Sequence, residues 1–143
     1  MKIKIISVGK TKNKHIKLLC ADYKDRIKHY TKFEEVVLKS GTNQTENDKI
    51  AAHINNNTGL NYALSEDGEN FNSKDFAKLL SNANNQISFI IGGPEGIDER
   101  TKANCDKVIA LSLMTFTHEM AHLFLLEQIY RGFTITLNKK YHK

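Results

Sequence analysis

The chain has 143 residues, of which 40% are hydrophobic and 26% charged, so it is long enough to bury a core without disulfides or a structural metal. No apolar run reaches the roughly 18 residues that a membrane span needs. The N-terminus lacks the apolar region and cleavage site of a signal peptide. Cys20 and Cys105 stand alone, which argues against a disulfide framework or a cysteine metal site. We therefore expect a single domain over residues 1–143 in the reducing cytoplasm.

The formal charge of +5 is unevenly distributed along the chain. Residues 1–17 carry six lysines and no acidic residue, and the chain ends with Lys139-Lys140-Tyr141-His142-Lys143. If the two ends lie on one face, they form a basic patch suited to a polyanion such as RNA. On charge alone, lysines that merely keep the protein soluble are the simpler interpretation.

Strand-like and helix-like segments alternate along the chain, with no repeat or linker between them. Strands are predicted over residues 3–8, 33–38, 60–64, 87–91 and 108–111. Helices are predicted over residues 12–29, 45–56, 73–80 and 98–104, followed by a last helix from Thr117 or His118 to about Arg131. This alternation predicts an α/β fold with a mainly parallel sheet flanked by helices.

Certain residues indicate how these helices begin, end and pack. Ser73 is the predicted N-cap of its helix, and Gly132 is the predicted end of the last one. The last helix is apolar from Leu123 to Leu126, which predicts burial on two sides, by the sheet and by a second copy of the chain. The inward stripe of the first helix is expected to contain Ile16, Leu19, Tyr23 and Ile27.

One motif indicates zinc chemistry. His118-Glu119-Met120-Ala121-His122 matches H-E-x-x-H, in which two histidines one helical turn apart bind zinc and the glutamate is the general base. A third ligand would have to come from Glu127 or His142. Thr117 as a cap and Glu119 in the first helical turn explain the same residues without metal. No metal is therefore expected, and a zinc hydrolase is a minor alternative.

A glycine turn follows the strand over residues 87–91. It contains Gly92, Gly93 and Gly96, together with the only proline of the chain. Its spacing is neither that of a P-loop nor G-x-G-x-x-G. A tight strand-to-helix turn explains it, and so does bare backbone that lets a flat ligand approach closely.

A second unusual loop follows the strand over residues 108–111. Its residues Leu111-Ser112-Leu113-Met114-Thr115-Phe116 are largely apolar, so we expect the loop to be covered rather than to face water. An adenine ring held by apolar side chains would cover it, and so would ordinary core packing.

Five separated motifs together resemble the ribosomal RNA large subunit methyltransferase H family. They occur in the family's order, and the similarity runs from Val8-Gly9 to the last residue. The motifs are Ile90-Ile91-Gly92-Gly93-Pro94-Glu95-Gly96, the loop from Leu111 to Phe116, His118, Glu127-Gln128-Ile129-Tyr130-Arg131 and Tyr141-His142-Lys143.

The resemblance implies a SPOUT methyltransferase with a C-terminal trefoil knot that works as a homodimer. It further implies methyl transfer from S-adenosylmethionine to N3 of a pseudouridine in large-subunit ribosomal RNA. Carried onto this sequence, it implies cofactor contacts at Leu64, Gly92, Leu111, Ser112, Leu113, Met114, Thr115 and Phe116. The candidate catalytic residues are Arg131, His142, His118 and Tyr141, with His142 or His118 as the base and Arg131 as the charge stabiliser.

The sequence departs from the family pattern at three positions. The family usually has proline at the position of Thr117, a neutral residue such as glutamine at Glu119, and often arginine at His122. The H-E-x-x-H match therefore arises from two substitutions within a different motif. A non-enzymatic RNA-binding module is the remaining alternative, and affinity for S-adenosylmethionine distinguishes it from the enzyme.

Overall fold

Two strands buried on both faces form the centre of the sheet, as expected where helices cover a parallel sheet on both sides. They are β1 (Lys2–Val8) and β4 (Gln86–Ile91), and the other strands are β2 (Lys32–Leu38), β3 (Leu60–Asn70) and β5 (Lys107–Ala110). The computed structural model describes residues 1–143. The strand order is β2-β1-β4-β3-β5, with every neighbouring pair parallel. The predicted α/β fold is confirmed.

Five helices cover this sheet. They are α1 (Lys14–Ile27), α2 (Asn43–Asn56), α3 (Ser73–Ser81), α4 (Glu99–Ala103) and α5 (His118–Thr136). One core cluster joins the sheet to α1, α3 and α5, and a second joins the opposite face to α2. Alternate residues of β1 divide between the two clusters, with Ile5 in the first and Ile6 in the second. No helix combines the length and apolar character of a transmembrane segment.

The inward stripe of α1 differs from the prediction at one position. Cys20 and Ile27 are buried, whereas Leu19 is 48% exposed. Ile16 and Tyr23 pack against the core as predicted. Cys20 replaces Leu19 because residues 16, 20, 23 and 27 follow the three- and four-residue spacing of one helical face.

Two predicted helix ends are wrong. The N-cap of α3 is Asn72, whose side chain accepts the Asp75 N–H at 2.8 Å, while the Ser73 hydroxyl donates to Gln128 Oε1 at 2.7 Å. α5 does not end at Gly132 but continues to Thr136. Gly132 is buried beside α3, and a Cβ there would lie 2.7 Å from Leu80 Cδ1. This glycine allows two helices to approach closely instead of ending one of them.

The apolar sequence of α5 is largely explained within one chain. Leu125, Leu126 and Ile129 are fully buried, because α5 packs against α1 and α3 as well as the sheet. Phe124 is the large apolar residue of α5 that stays exposed, at 36%. Burial of α5 therefore does not require a second copy, and both the homodimer and the trefoil knot stay predictions.

Candidate active site

A cleft of about 740 Å³ lies at the carboxyl edge of the sheet, where the loops after β1, β4 and β5 meet residues 64–66 of β3. The predicted end of this strand at residue 64 is wrong, because β3 continues through a bulge to Asn70. This edge is where open parallel sheets bind ligands, and the volume is in the range of small-molecule sites. Leu113 does not line the cleft, and its side chain is 81% exposed. The other predicted cofactor residues all line it: Leu64, Gly92, Leu111, Ser112, Met114, Thr115 and Phe116.

The glycine turn forms one wall of the cleft. Gly96 has a φ of +78°, and its N–H donates to the Gly93 carbonyl at 2.9 Å. A Cβ on Gly92 would lie 2.7 Å from the Gly96 carbonyl carbon and 2.9 Å from the Ile97 nitrogen. Because the backbone of Gly96 and Ile97 already occupies this space, any side chain at Gly92 must displace the turn.

A buried carboxylate that the sequence did not reveal supports this turn from behind. Glu46 is 4% exposed, accepts the Gly41 N–H at 3.0 Å, and occupies the space that a side chain on Gly93 would need. It thus joins the loop after β2 to the glycine turn. Only the tertiary contact between α2 and this turn could identify it.

The apolar loop after β5 forms the opposite wall. Phe116 packs edge-on against Phe124, with ring centroids 5.1 Å apart. Leu113 and Met114 are 81% and 73% exposed. The predicted cover over this loop is therefore not supplied by the chain itself. Two adjacent exposed apolar side chains indicate a surface that contacts another molecule.

The N-terminus of α5 closes the cleft against the loop after β1. Thr117 is the N-cap, with its Oγ1 accepting the Met120 N–H at 3.3 Å. His118 lines the cleft together with Asn13. The Glu119 carboxylate accepts the backbone N–H groups of Asn13 at 3.1 Å and Lys12 at 3.3 Å. These backbone hydrogen bonds lower the pKa of Glu119.

The H-E-x-x-H residues do not converge on one point. His118 lines the cleft, whereas His122 is 6% exposed and its Nε2 lies 3.3 Å from Glu35 Oε2. Lys24 Nζ lies 2.8 Å from the same carboxylate. Burial raises the pKa of Glu35, but its contacts with His122 and Lys24 outweigh burial and hold the pKa at about 2. No three His, Cys, Asp or Glu side chains are grouped as metal ligands.

The other candidate catalytic residues form a cluster at the far end of α5. Arg131 Nε donates to Glu127 Oε1 at 3.0 Å, and Arg131 Nη1 lies 3.1 Å from His142 Nδ1. The Tyr141 hydroxyl donates to the same Glu127 oxygen at 3.1 Å and lies 3.1 Å from the Tyr23 hydroxyl. Burial raises the pKa of Tyr141, so its phenol acts as a donor rather than a base.

This cluster, which we call the tail cluster (Glu127, Arg131, Tyr141 and His142), is far from the cleft within one chain. None of the four residues lines the cleft. At a rise of about 1.5 Å per residue, α5 separates His118 from Arg131 by roughly 20 Å. The structure therefore brings Arg131, Tyr141 and His142 together but keeps them apart from His118.

A second cavity of about 580 Å³ lies between the cleft and the tail cluster. It shares Leu111 and Phe116 with the cleft and reaches Glu127 at its other end. Its walls include the aromatic residues Phe71, Phe76 and Phe124. This cavity was not predicted from the sequence, since its walls come from the loop before α3, from α3, β5 and α5, and from the loop after β5, which meet only in the folded chain.

One protein family and two solved structures define the class to which this chain belongs. The family described as predicted SPOUT methyltransferase matches residues 1–142. Two solved structures share the fold. A probable methylase family protein from Haemophilus influenzae has a TM-score of 0.62 at 12% identity, covering 99% of this chain and 70% of that one. A putative methyltransferase from Legionella pneumophila, solved with the cofactor SAM bound, has a TM-score of 0.57 at 8% identity, covering 90% and 65%.

The similarity to one group of curated proteins is much closer. The chain is 42% identical over 147 residues to the ribosomal RNA large subunit methyltransferase H of Coprothermobacter proteolyticus, covering 100% of both chains. Another relative of that name, from Christiangramia forsetii, is 38% identical over 156 residues, covering 99% of both. This chain belongs to the ribosomal RNA large subunit methyltransferase H family of SPOUT methyltransferases. The resemblance stated from the motifs is confirmed.

Proposed function

We propose that this protein transfers a methyl group from S-adenosylmethionine to N3 of a pseudouridine in large-subunit ribosomal RNA. The observation that carries the proposal is the cleft at the carboxyl edge of the sheet. Its walls are the loops to which the resemblance assigns the cofactor. The chain that builds it is 42% identical, over its full length, to a relative named for this RNA. Ribosomes as the target place the reaction in the cytoplasm.

The residues of the cleft fit S-adenosylmethionine. Leu64, Leu111 and Phe116 supply apolar surface for a purine ring, and the backbone of the glycine turn at Gly92 forms the opposite wall. Glu66 also lines the cleft and offers a carboxylate to hydroxyl or ammonium groups. When bound, the sulfonium supplies an electrophilic methyl group, so the protein's task is to hold the target nitrogen in line with it.

The target nitrogen must lose a proton, and negative charge develops on the base as it does so. We assign His118, at the mouth of the cleft, as a candidate base for that proton. Arg131 is the candidate that stabilises the developing charge. Tyr141 donates hydrogen bonds, and His142 holds the guanidinium of Arg131 from the side opposite Glu127.

These groups can meet at one nucleotide only if two copies of the chain contribute. Within one chain the helix separates His118 from Arg131 by roughly 20 Å. We therefore propose a homodimer in which the tail cluster of one copy completes the cleft of the other. Leu113 and Met114, in the loop after β5, and Phe124, which lines the cavity between the cleft and the tail cluster, are exposed apolar side chains. A second copy would cover them.

The reaction is tested on ribosomes and separated subunits from a strain that lacks the endogenous methyltransferase. We expect one additional methyl group, mapped by mass spectrometry of digested RNA to N3 of a pseudouridine. Calorimetry should show binding of S-adenosylmethionine by the protein alone. RNA binding without cofactor affinity would instead identify a non-enzymatic RNA-binding module.

The two-copy site is tested by mixing two inactive variants, His118→Ala and Arg131→Ala. In a mixed dimer, one cleft has its own His118 and receives Arg131 from the other copy. Random pairing should then restore roughly a quarter of the wild-type rate. If each site lies within one chain, every site carries one substitution and mixing restores nothing. Analytical ultracentrifugation of each variant verifies that both still associate.

A further inference from the structure

The edge of the sheet that holds the cleft also carries a row of exposed lysines. We call Lys10, Lys12, Lys14, Lys17 and Lys39 the basic ridge; all five are exposed. The loops after β1 and β2 that contribute to it lie against each other, since the Gly9 N–H donates to the Leu38 carbonyl at 2.7 Å. Asn13 and Ile16, which alternate with the lysines, line the cleft. Lys12, Lys14 and Lys17, which are the sequence neighbours of Asn13 and Ile16, therefore lie at the rim of the cleft, and Lys10 and Lys39 extend the ridge along the same edge of the sheet.

The charges of the basic ridge are not neutralised within the chain. None of its five lysines forms an ion pair, whereas Lys2 pairs with Glu34 and Lys24 with Glu35. The nearby Glu119 carboxylate accepts backbone N–H groups of the ridge rather than its ammonium groups. Five uncompensated positive charges at the rim create a local potential that attracts a polyanion.

The two basic ends of the sequence do not merge into this patch. Tyr23, near the end of α1, contacts Tyr141, while Asn13, at its start, contacts Glu119. α1 and α5 therefore run side by side in the same direction, and the tail lysines lie at the end remote from the cleft. Within one chain, the lysines of the N-terminus and those of the C-terminus therefore do not form one basic patch. The basic ridge is the basic surface at the cleft within one chain.

We propose that the basic ridge binds backbone phosphates of the RNA on either side of the nucleotide that enters the cleft. RNA as the partner rests on the proposed function; the position of the surface rests on the geometry. Lys14 and Lys17 are three residues apart on α1, so they share one face of the helix with about 5–6 Å between their Cβ atoms. Lysines contacting phosphates fix the register of the RNA without reading its sequence.

Glu119 has a positioning role in this arrangement. Its carboxylate ties the backbone of Lys12 and Asn13 to the first turn of α5. The clamp fixes where the loop after β1 presents its ammonium groups relative to the cleft. Glutamine keeps one carbonyl acceptor for this backbone, whereas alanine keeps none.

The test measures binding of fluorescein-labelled large-subunit ribosomal RNA by anisotropy between 50 and 200 mM KCl. Lys12→Gln/Lys14→Gln should lower the slope of log K against log salt concentration by up to about 2, because each lost phosphate contact removes about 0.7–0.9. The matched control is Lys28→Gln/Lys32→Gln, which removes the same charge from exposed lysines at the opposite edge of the sheet. The control should keep the wild-type slope.

Two further readouts make the result specific. The ridge variant should bind S-adenosylmethionine as wild type does in calorimetry, and should show a raised KM for RNA with an unchanged kcat. Glu119→Ala and Glu119→Gln both remove one negative charge, which on charge alone would tighten RNA binding in both. Positioning predicts instead that Glu119→Ala binds RNA several-fold more weakly than Glu119→Gln.

Failure of this inference is distinguishable from failure of the proposed function. If the wild type methylates ribosomal RNA and the ridge variant keeps its slope and KM, the basic ridge is not the RNA surface while the enzyme assignment stands. If RNA binding depends on the ridge but no methyl transfer occurs, the surface stands and the reaction fails. Equal losses in the ridge variant and its control, or a wild type that binds no RNA, overturn the inference.

Discussion

Replacing Glu35 with glutamine should unfold this protein more easily at neutral pH. The Glu35 side chain is 22% exposed and faces His122 and Lys24, and its pKa is lowered from 4.5 to about 2. That difference corresponds to roughly 3 kcal/mol. The remaining exposure reduces the expected loss to about 2–3 kcal/mol. With a urea m-value of about 1–3 kcal/mol/M, the midpoint should fall by roughly 1–3 M.

The pH dependence gives the sign of this effect. Because the pKa is lowered in the folded state, the carboxylate stabilises the fold fully above pH 4.5 and loses its contribution as the pH falls towards 2. Urea unfolding followed by circular dichroism from pH 7 to pH 3 should therefore show the wild type and Glu35→Gln converging. A difference that stays constant over that range would refute the reasoning.

Glu34→Gln is the matched control for that experiment. Glu34 is the preceding residue of β2, and it pairs with Lys2 at the surface, with side chains 42% and 38% exposed. Exposed pairs of this kind contribute about 0–1 kcal/mol. Equal destabilisation by both substitutions would mean that the loss comes from the strand rather than from the buried pair.

Three further substitutions follow from the geometry. Gly92→Ala should weaken S-adenosylmethionine binding at least tenfold in calorimetry, since its Cβ would lie 2.7 Å from the Gly96 carbonyl carbon; unchanged affinity would contradict the assigned wall. Gly132→Ala should change the free energy of unfolding by at most about 1 kcal/mol in urea unfolding, because the shift that Leu80 Cδ1 must make offsets the gain in helix propensity, whereas a loss of about 3 kcal/mol would mean that Leu80 cannot move. Arg131→Ala should sharply reduce methyl transfer without loss of cofactor affinity, and undiminished turnover would remove Arg131 from the mechanism.

The features that were predictable from sequence are those determined by local patterns. The strand that ends at Gly92 and the helix capped by Asp98 lie where apolar runs and capping residues place them. Gly132 was misread because a glycine inside a helix and one after its end look alike in sequence. Whether Gly132 lies inside the helix or after its end depends on packing against Leu80, which belongs to α3.

Which residues belong to the candidate site was easier to predict from the sequence than the distances between them. The loops lining the cleft follow from the parallel sheet, because all their strands end at one edge. The predicted last helix already places His118 and Arg131 at its opposite ends. Nothing in the sequence, in contrast, predicted that Tyr141 and His142 fold back against Glu127 and Arg131. The contact between Glu35 and His122 was likewise not predicted, since the sequence placed Glu35 in a strand and His122 in an accidental H-E-x-x-H match. Only packing between α1, β2 and α5 makes them a buried pair.

The length of α5 has a kinetic consequence. Under the proposed arrangement, one chain carries a cofactor cleft and a tail cluster that cannot serve each other across roughly 20 Å of rigid helix. A newly synthesised chain would thus bind the methyl donor but transfer no methyl group until it forms a dimer. Specific activity should then fall on dilution, with a midpoint at the dimer dissociation constant. The helix would act as a concentration-dependent safeguard on modification.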